Sequence, residues 1–597
     1  MAPLSRRCFL IAAGLSAPAL RLLAQDPYAE DVVLRAMKDE LERSRQLRVV
    51  GGGGDDTPYF IAYTLDDNDA FEVSASLGAV TSVSRNRFRL PNIEVRVGSY
   101  DFDNTGHIYS GIYTGSRYDA QPFSLDNNYR ALREGLWLGT DHAYKAAVES
   151  IARKRAALTN AAAPAEKMAD FSPAEPVESL AKVTRTKFDE AAWKARIVRH
   201  SAIFDAAPEV LASGVEFHFN QDTAYYLNTE GTALRYSDDA AWISARAEGQ
   251  APDGMILRDA LVTPALALAQ VPSEMEVQDS LKAMVRNIQT LLQAPVGESF
   301  IAPALFEPAA AAQLLAQLLG ENLRMFRKPV SDPNHQLNII VSEFEGRTGA
   351  RVLPEWIDVV DDPTQTSYQG KPLVGYYQFD FEGVKAQAVP VIQKGVLRSL
   401  LTTRQPVRKA AASNGHARFP AGFGTRAAAI GNLFVKPAES TPLVDLKTRL
   451  IQMCKERDKP YGLLIRKLDF PFLGSNAEIQ TLQTASANSG GSVRPVSPPI
   501  LMYRVYPDGR EELVRGMRFR GLSTRSLRDI LAASVETAVF DFINNGAPLA
   551  RSGVGGYVAL TSVISPGLLF DEVEVDQLQN PLQKPALVPP PDRTMTR

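Results

Sequence analysis

The run Ser413-Asn414-Gly415-His416-Ala417-Arg418 sets an amide, an imidazole and a guanidinium around one flexible glycine. Together these groups can hold a carboxylate or a peptide backbone, because a guanidinium binds a carboxylate through two parallel N–H donors while an amide and an imidazole each donate and accept. Two acidic clusters lie upstream: Asp358, Asp361 and Asp362 around Trp356, and Asp380 and Glu382 just after Tyr376-Tyr377. Asp and Gly are also what strand reversals require. Turn residues and ligand contacts are therefore both open readings of the acids, and an exposed loop is an open reading of the 413–418 run. The candidate substrate-binding residues are Asn414, His416, Arg418, Asp361 and Glu382.

Several chemistries are excluded. None of His107, His142, His200, His218, His335 and His416 is followed by Glu, so the helix-borne histidine pair with a glutamate base is missing. G-x-S-x-G and G-x-x-x-x-G-K-[ST] are absent. Gly422, Gly424 and Ala427 satisfy G-x-G-x-x-A, but they lead into the strand-like Leu433-Phe434-Val435 instead of opening a helix, which is the wrong context for a dinucleotide. No catalytic residue, cofactor or metal is assigned.

The elements that must position these residues belong to a 597-residue chain, 45% hydrophobic and 22% charged, long enough for two or more cores. A net charge of -3 gives no global footprint for nucleic acid. Two cysteines, Cys8 and Cys454, cannot make a disulfide framework or a four-cysteine zinc site. Ser5-Arg6-Arg7-Cys8-Phe9-Leu10 followed by an apolar run reads as a twin-arginine signal over residues 1–24, too short to span a bilayer. Its removal takes away Arg6, Arg7 and Arg21 and no acid. The expectation is a periplasmic or otherwise exported protein with no membrane span after cleavage.

Residues 25–293 read as an α+β N-terminal region. Val33, Met37 and Leu41 share a helical face over residues 30–43, and 51–54 is a glycine break. Phe71, Val73, Ala75 and Leu77, like Ile93, Val95 and Val97, alternate as half-buried strands. A helix follows the cap Asp126, an Ala/Pro/Glu-rich stretch at 160–176 reads as a surface linker, and strands are expected at 215–219 and 223–227 around a turn at 228–231. Ser273 and Glu276 form a capping box. Residues 294–576 read as a β-rich C-terminal domain with one helix after Pro308 and one after Ser523, and with a hairpin turning at Pro507-Asp508-Gly509. The 484–499 stretch and the Pro-rich 577–597 tail read as mobile.

The order of 303–308 with its Ala/Leu helix, 357–364, 379–383, 394–397, 413–418, 432–435 and 562–575 resembles the TldD/PmbA family of peptidase-like proteins. That resemblance implies an α+β N-terminal domain, a β-rich C-terminal domain in which 562–575 is a strand pair, and dimers around a shielded cavity. In the TldD branch it implies a metal held by an H-E-x-x-x-H helix and a later cysteine. Here the corresponding helix, 309–320, is AAAAQLLAQLLG, and the cysteine's region is Arg551-Ser552-Gly553-Val554-Gly555-Gly556. The departure matches the PmbA branch, whose members pair with a metal-bearing partner.

The expected function is a metal-free subunit that binds peptide or protein substrate, as a homodimer or with a metal-bearing TldD-like paralogue. An active metallopeptidase using His335, His416, Asp361 or Glu382 is the alternative, and a non-proteolytic periplasmic binding protein is the third reading. Because paired arginines are what the folded-protein translocase reads, replacing Arg6 and Arg7 with Lys is expected to trap the chain in the cytoplasm on cell fractionation. Normal export of the double variant would refute the signal.

Overall fold

The structure is a computed structural model that describes residues 26–48, 57–108, 117–118, 123–159, 168–325, 327, 329–331, 342–420, 426–488, 495–544, 559–578 and 586. The expected signal, the glycine break, Gly422, Gly424, His335, the 551–556 run and most of the expected tail lie outside the described residues.

The period-two runs form one long antiparallel hairpin, β1 (Pro58–Ser76) and β2 (Ala79–Val97). Its two-residue turn places Leu77 at φ 47 and Gly78 at φ 76. Left-handed residues at both turn positions match the right-handed twist of the flanking strands. After the helix α1 (Tyr129–Thr159) the chain adds β3 (Ala212–Asn228) along β1, then β4 (Ala233–Ser237), Ala240–Gln250 and Ile256–Ala265, in a sheet of eight strands. One face packs on helices at both ends. Ile61, Tyr63 and Leu65 meet Val33 and Met37 of the helix Val32–Ser44 and Leu132 and Leu136 of α1. Phe71, Val73 and Phe217 meet Ile197 and the Leu281–Met284–Ile288 stripe of the helix Glu274–Gln293, which Ser273 and Glu276 cap as expected. Alternation turns Phe60, Ala62 and Tyr226 to the other face, against Phe171 and Phe379.

The C-terminal half is built on an eleven-stranded sheet that contains β5 (Phe300–Phe306), β6 (Ile357–Asp361), β7 (Asn432–Pro437), β8 (Ile530–Asn544) and β9 (Ala559–Gln577). β9 is its spine, parallel to β7 and antiparallel to β5 and β8. Between β5 and β6 the helix α2 (Pro308–Leu318) is buried along its length, with Ala310, Leu314 and Leu315 in the main core. The fold is α+β.

The structure corrects five expectations. The strands expected at 215–219 and 223–227 are one strand, β3. Asn220-Gln221-Asp222 breaks the apolar alternation while the pairing with β1 runs straight through it. The expected strand pair at 562–575 is likewise one strand, paired with β8, which the sequence reading did not resolve. The helix after Ser523 is a short 3-10 turn, Thr524–Asp529, whereas the helices Leu443–Glu456 and Asn476–Asn488 were not anticipated. α1 begins two residues past the position that Asp126 would cap, with the Asn128 side chain accepting from the Ala131 N–H at 3.1 Å. The expected surface linker is buried at its described end: Asp170, Phe171 and Ser172 are all within 5% exposure.

That segment lies in the seam between the halves. Asp170 accepts from the buried Lys154 Nζ at 2.6 Å and from Arg327 at 3.0 Å, and Lys154 also donates to the carbonyls of Asp103 and Thr105. The Phe171 ring lies between two buried guanidiniums, Arg96 at 3.7 Å and Arg404 at 4.0 Å. Ser172 and Arg404 exchange hydrogen bonds, with the Ser172 N–H donating to the Arg404 carbonyl at 2.8 Å and Arg404 Nε donating to the Ser172 carbonyl at 2.8 Å.

Candidate functional site

The five sequence candidates fall in one neighbourhood, beside the seam and at the end of β6. Asp361 closes β6, fully buried, and both its oxygens accept from the Gly431 N–H, at 3.1 and 3.0 Å. The loop that follows brings Tyr377, Asp380 and Glu382. Asp380 is a turn-former, as one of the two readings of the acids had it. Its Oδ1 accepts from the N–H groups of Glu382 and Val384, both at 2.9 Å, and its Oδ2 accepts from Ala417 at 3.0 Å, which fastens the turn to the 413–418 run. Gly383 sits at φ 75, and a Cβ there would stand 2.6 Å from the Tyr226 ring, so the turn needs glycine.

Glu382 is 6% exposed and accepts from the Arg404 backbone N–H at 2.6 Å. Burial, reinforced by the nearby Asp380, pushes its carboxyl up to about 7. Arg404 itself is fully buried and donates to Glu230 at 2.6 Å, joining this loop to the first sheet. Neither Arg404 nor Glu230 carries a local sequence signal, because their pairing spans 174 residues.

The three members of the 413–418 run have different environments. The Asn414 amide is committed to the loop, with Oδ1 accepting from the Thr402 N–H at 2.9 Å and Nδ2 donating to the Leu400 carbonyl at 2.9 Å. His416 is fully buried. Its Nδ1 lies 2.8 Å from the Asn414 carbonyl, a geometry in which Nδ1–H donates. Nε2 has no hydrogen-bond partner among the described residues and stands 3.7 Å from Asp361 Oδ1. Arg418 is 8% exposed, and its guanidinium lies over Tyr377 at 4.2 Å and Phe381 at 5.1 Å. It forms no ion pair with Asp361, Glu382 or any other acid among the described residues. Tyr377 is held in place by its hydroxyl donating to the Gly415 carbonyl at 2.8 Å. The run thus divides into a framework amide, an enclosed imidazole and a cation whose charge no acid neutralises.

A helix-on-sheet N-terminal half joined through a polar seam to a β-rich half with a buried Ala/Leu helix is a two-part α+β architecture. Residues 300–484 match the PmbA/TldA metallopeptidase C-terminal domain. Over 75 residues the chain is 35% identical to a metalloprotease of Archaeoglobus fulgidus, a stretch that is 13% of this chain and spans only 16% of that relative's length. Its fold is similar to that of TldE from Thermococcus kodakarensis, with TM-score 0.54 at 14% identity, covering 91% of this chain and all of that one. It is also similar to a candidate modulator of a DNA gyrase from Thermotoga maritima, with TM-score 0.55 at 14% identity, covering 86% and 96% of the two chains. Residues 300–484 of the chain thus carry the C-terminal domain of the PmbA/TldD family, and the fold as a whole is similar to that of TldE.

A metal is what the metallopeptidase domain implies, and α2 is where the family resemblance would place it. The polar side chains on α2 are Gln313 and Gln317, both buried. Gln313 donates to the Phe470 carbonyl at 2.9 Å and accepts from the Leu468 N–H at 2.8 Å. Gln317 donates to the Gln313 carbonyl at 3.1 Å and accepts from the Ser497 N–H at 2.8 Å. Carboxamides whose donors and acceptors are all spent on backbone do not suit zinc, which takes thiolate, imidazole or carboxylate. Among the described residues no group of three or more His, Cys, Asp or Glu could hold a metal ion. The residues present on α2 do not fit the group.

The Glu382 carboxyl gives this site a pH signature. It holds its proton up to about 7 when folded and only to about 4.5 when unfolded, so the folded state binds more protons between those values and stability falls as pH rises through them. Glu382→Gln, which cannot ionise, is expected to gain about 1 to 3 kcal/mol relative to the parent at pH 8 compared with pH 5, measured by urea unfolding. An equal difference at both pH values would contradict the assignment.

Proposed function

We propose that this chain is an exported, metal-free, peptide-binding member of the TldD/PmbA family, working as a homodimer or beside a metal-bearing paralogue. The observation that carries the reading is Arg418. A buried cation that no acid neutralises retains its capacity for a carboxylate, and the rings of Tyr377 and Phe381 fix it in place. The backbone commitments of Gln313 and Gln317 support the metal-free part. The twin-arginine pattern supports export, and the family resemblance supports pairing. No helix among the described residues is long and apolar enough to cross a membrane.

An active peptidase on unusual ligands finds less support. His416 and Asp361 are neighbours, but both oxygens of Asp361 are occupied by Gly431, and Glu382 turns to the Arg404 backbone.

Arg418→Ala is expected to weaken binding of a short unstructured peptide by about 1.5 to 3 kcal/mol, the scale of a charged hydrogen bond. The stability loss should stay near the roughly 1 kcal/mol of its ring contacts. Amidating the peptide's carboxyl terminus should cost the parent protein a similar amount and the variant nothing. Intact binding with a large stability loss would make Arg418 a structural residue.

A further inference from the structure

The middle of β1 reads Asp66-Asp67-Asn68-Asp69, and its two faces are treated differently. The odd positions are neutralised: Asp67 pairs with Arg89 at 2.9 Å and Arg185 at 2.9 Å, and Asp69 pairs with Arg85 at 2.9 Å and Arg185 at 3.4 Å. The even positions are not. Asp66 and Asn68 share the face of Phe60 and Ala62, the one turned to the C-terminal half, and Asn68 stands directly opposite Asp222 of β3. Asp238 follows β4 and donates its N–H to the Asp222 carbonyl at 3.0 Å. Asp66, Asp222 and Asp238 form no ion pair and no side-chain hydrogen bond among the described residues.

A second observation points outward from this acidic group. Asn68 is 7% exposed and Asp222 8%, and the Oδ1 of each has no hydrogen-bond partner. A buried acceptor left unpaired is destabilising, so the arrangement calls for a donor. Two further buried residues face it from the C-terminal half. Arg418 is 8% exposed and Arg426 7%, and neither is in an ion pair. Burial, then the neighbouring Asp238, pushes the Asp66 carboxyl up to about 7 against the opposing pull of Arg426, and burial with Asp66 holds Asp222 well above the ordinary range, as expected of acids that lack a cation.

We propose that Asp66, Asn68, Asp222 and Asp238 form a subsite for a protonated amine, the α-amino end or a lysine side chain of a bound peptide, opposite the carboxylate-binding Arg418. An ammonium brings three N–H donors and no acceptor, which matches Asp222 Oδ1, Asn68 Oδ1 and the Asp66 carboxylate. The subsite rests on the peptide-binding reading and gives the substrate a direction, amino end on the first sheet and carboxyl end at the two-stranded ribbon Ala417–Pro420 and Arg426–Ala428.

The test is calorimetric titration of the full mature chain with tetra-alanine, N-acetyl-tetra-alanine, and an N-acetylated tetrapeptide ending in lysine. Acetylation should weaken binding at least tenfold, and recovery by the lysine peptide would make the side chain the source of the amine. Asp222→Asn should bind the free and acetylated peptides alike, with a melting temperature no lower than the parent's, because burial already disfavours the charged form of Asp222. Asp66→Asn is the second variant, expected to lose most of the same discrimination. Equal binding of free and acetylated peptides by the parent, or discrimination retained in both variants, would overturn the amine subsite alone. Failure of every peptide to bind the parent would overturn the peptide-binding reading with it.

Discussion

Everything around the candidate site depends on burying a set of charges in the seam and leaving none of the essential ones alone. Lys154, Asp170, Asp103 and Arg96 are each within 5% exposure. They are linked in sequence, Lys154 to Asp170 at 2.6 Å, Asp170 to the Asp103 N–H at 2.9 Å, and Asp103 to Arg96 at 2.8 Å. Removing one partner from such a chain costs about 3 to 5 kcal/mol, since the remainder becomes an uncompensated buried charge. Burial and Arg96, the largest opposing influences on Asp103, leave its carboxyl below the ordinary range, so it stays ionised where the network needs it. The Phe171 ring between Arg96 and Arg404 carries the same constraint across to the second half.

From Arg404 the constraint reaches the site in short steps. Its backbone N–H holds Glu382, and its guanidinium holds Glu230. Asp380, two residues before Glu382, holds the Ala417 N–H, and Ala417 lies between His416 and Arg418. A loop fixed this way presents Arg418 against two rings at little further entropic cost, which is what preorganised recognition requires. Among the described residues, Asp66 and Asp222 on the first sheet and Arg418 and Arg426 on the two-stranded ribbon of the second half form no ion pair.

Local patterning made much of the fold legible. The period-two runs 71–76 and 93–97, the Ser273–Glu276 capping box and the 507–509 turn are properties of a few adjacent residues, and each sits where the sequence places it. The strands nevertheless run on to 58–76 and 79–97, and Leu77-Gly78, expected to continue the first strand, make the turn. What failed was what depends on distant partners. Ala/Pro/Glu composition marks 160–176 as a linker, yet Phe171 and Ser172 are buried by Arg404, more than two hundred residues away. Asn220-Gln221-Asp222 looks like a break in a strand because polar residues there answer to the charged band on β1 and not to an apolar core. The Leu446, Leu450 and Met453 stripe of the helix Leu443–Glu456 has helical spacing, but the strands Asn432–Pro437 and Gly462–Leu468 flank it and give the region a strand-like pattern. In the site, residue type located Asn414, His416 and Arg418 together, but only the contacts separate the framework amide from the free guanidinium.

Whether the chain binds peptide without a metal, as proposed, is tested most directly on the purified mature protein. Zinc content and peptide affinity would be measured before and after exhaustive chelation. The account predicts far less than one zinc per protomer and an affinity unchanged by the chelator. Stoichiometric, tightly held zinc whose removal abolishes binding would contradict it.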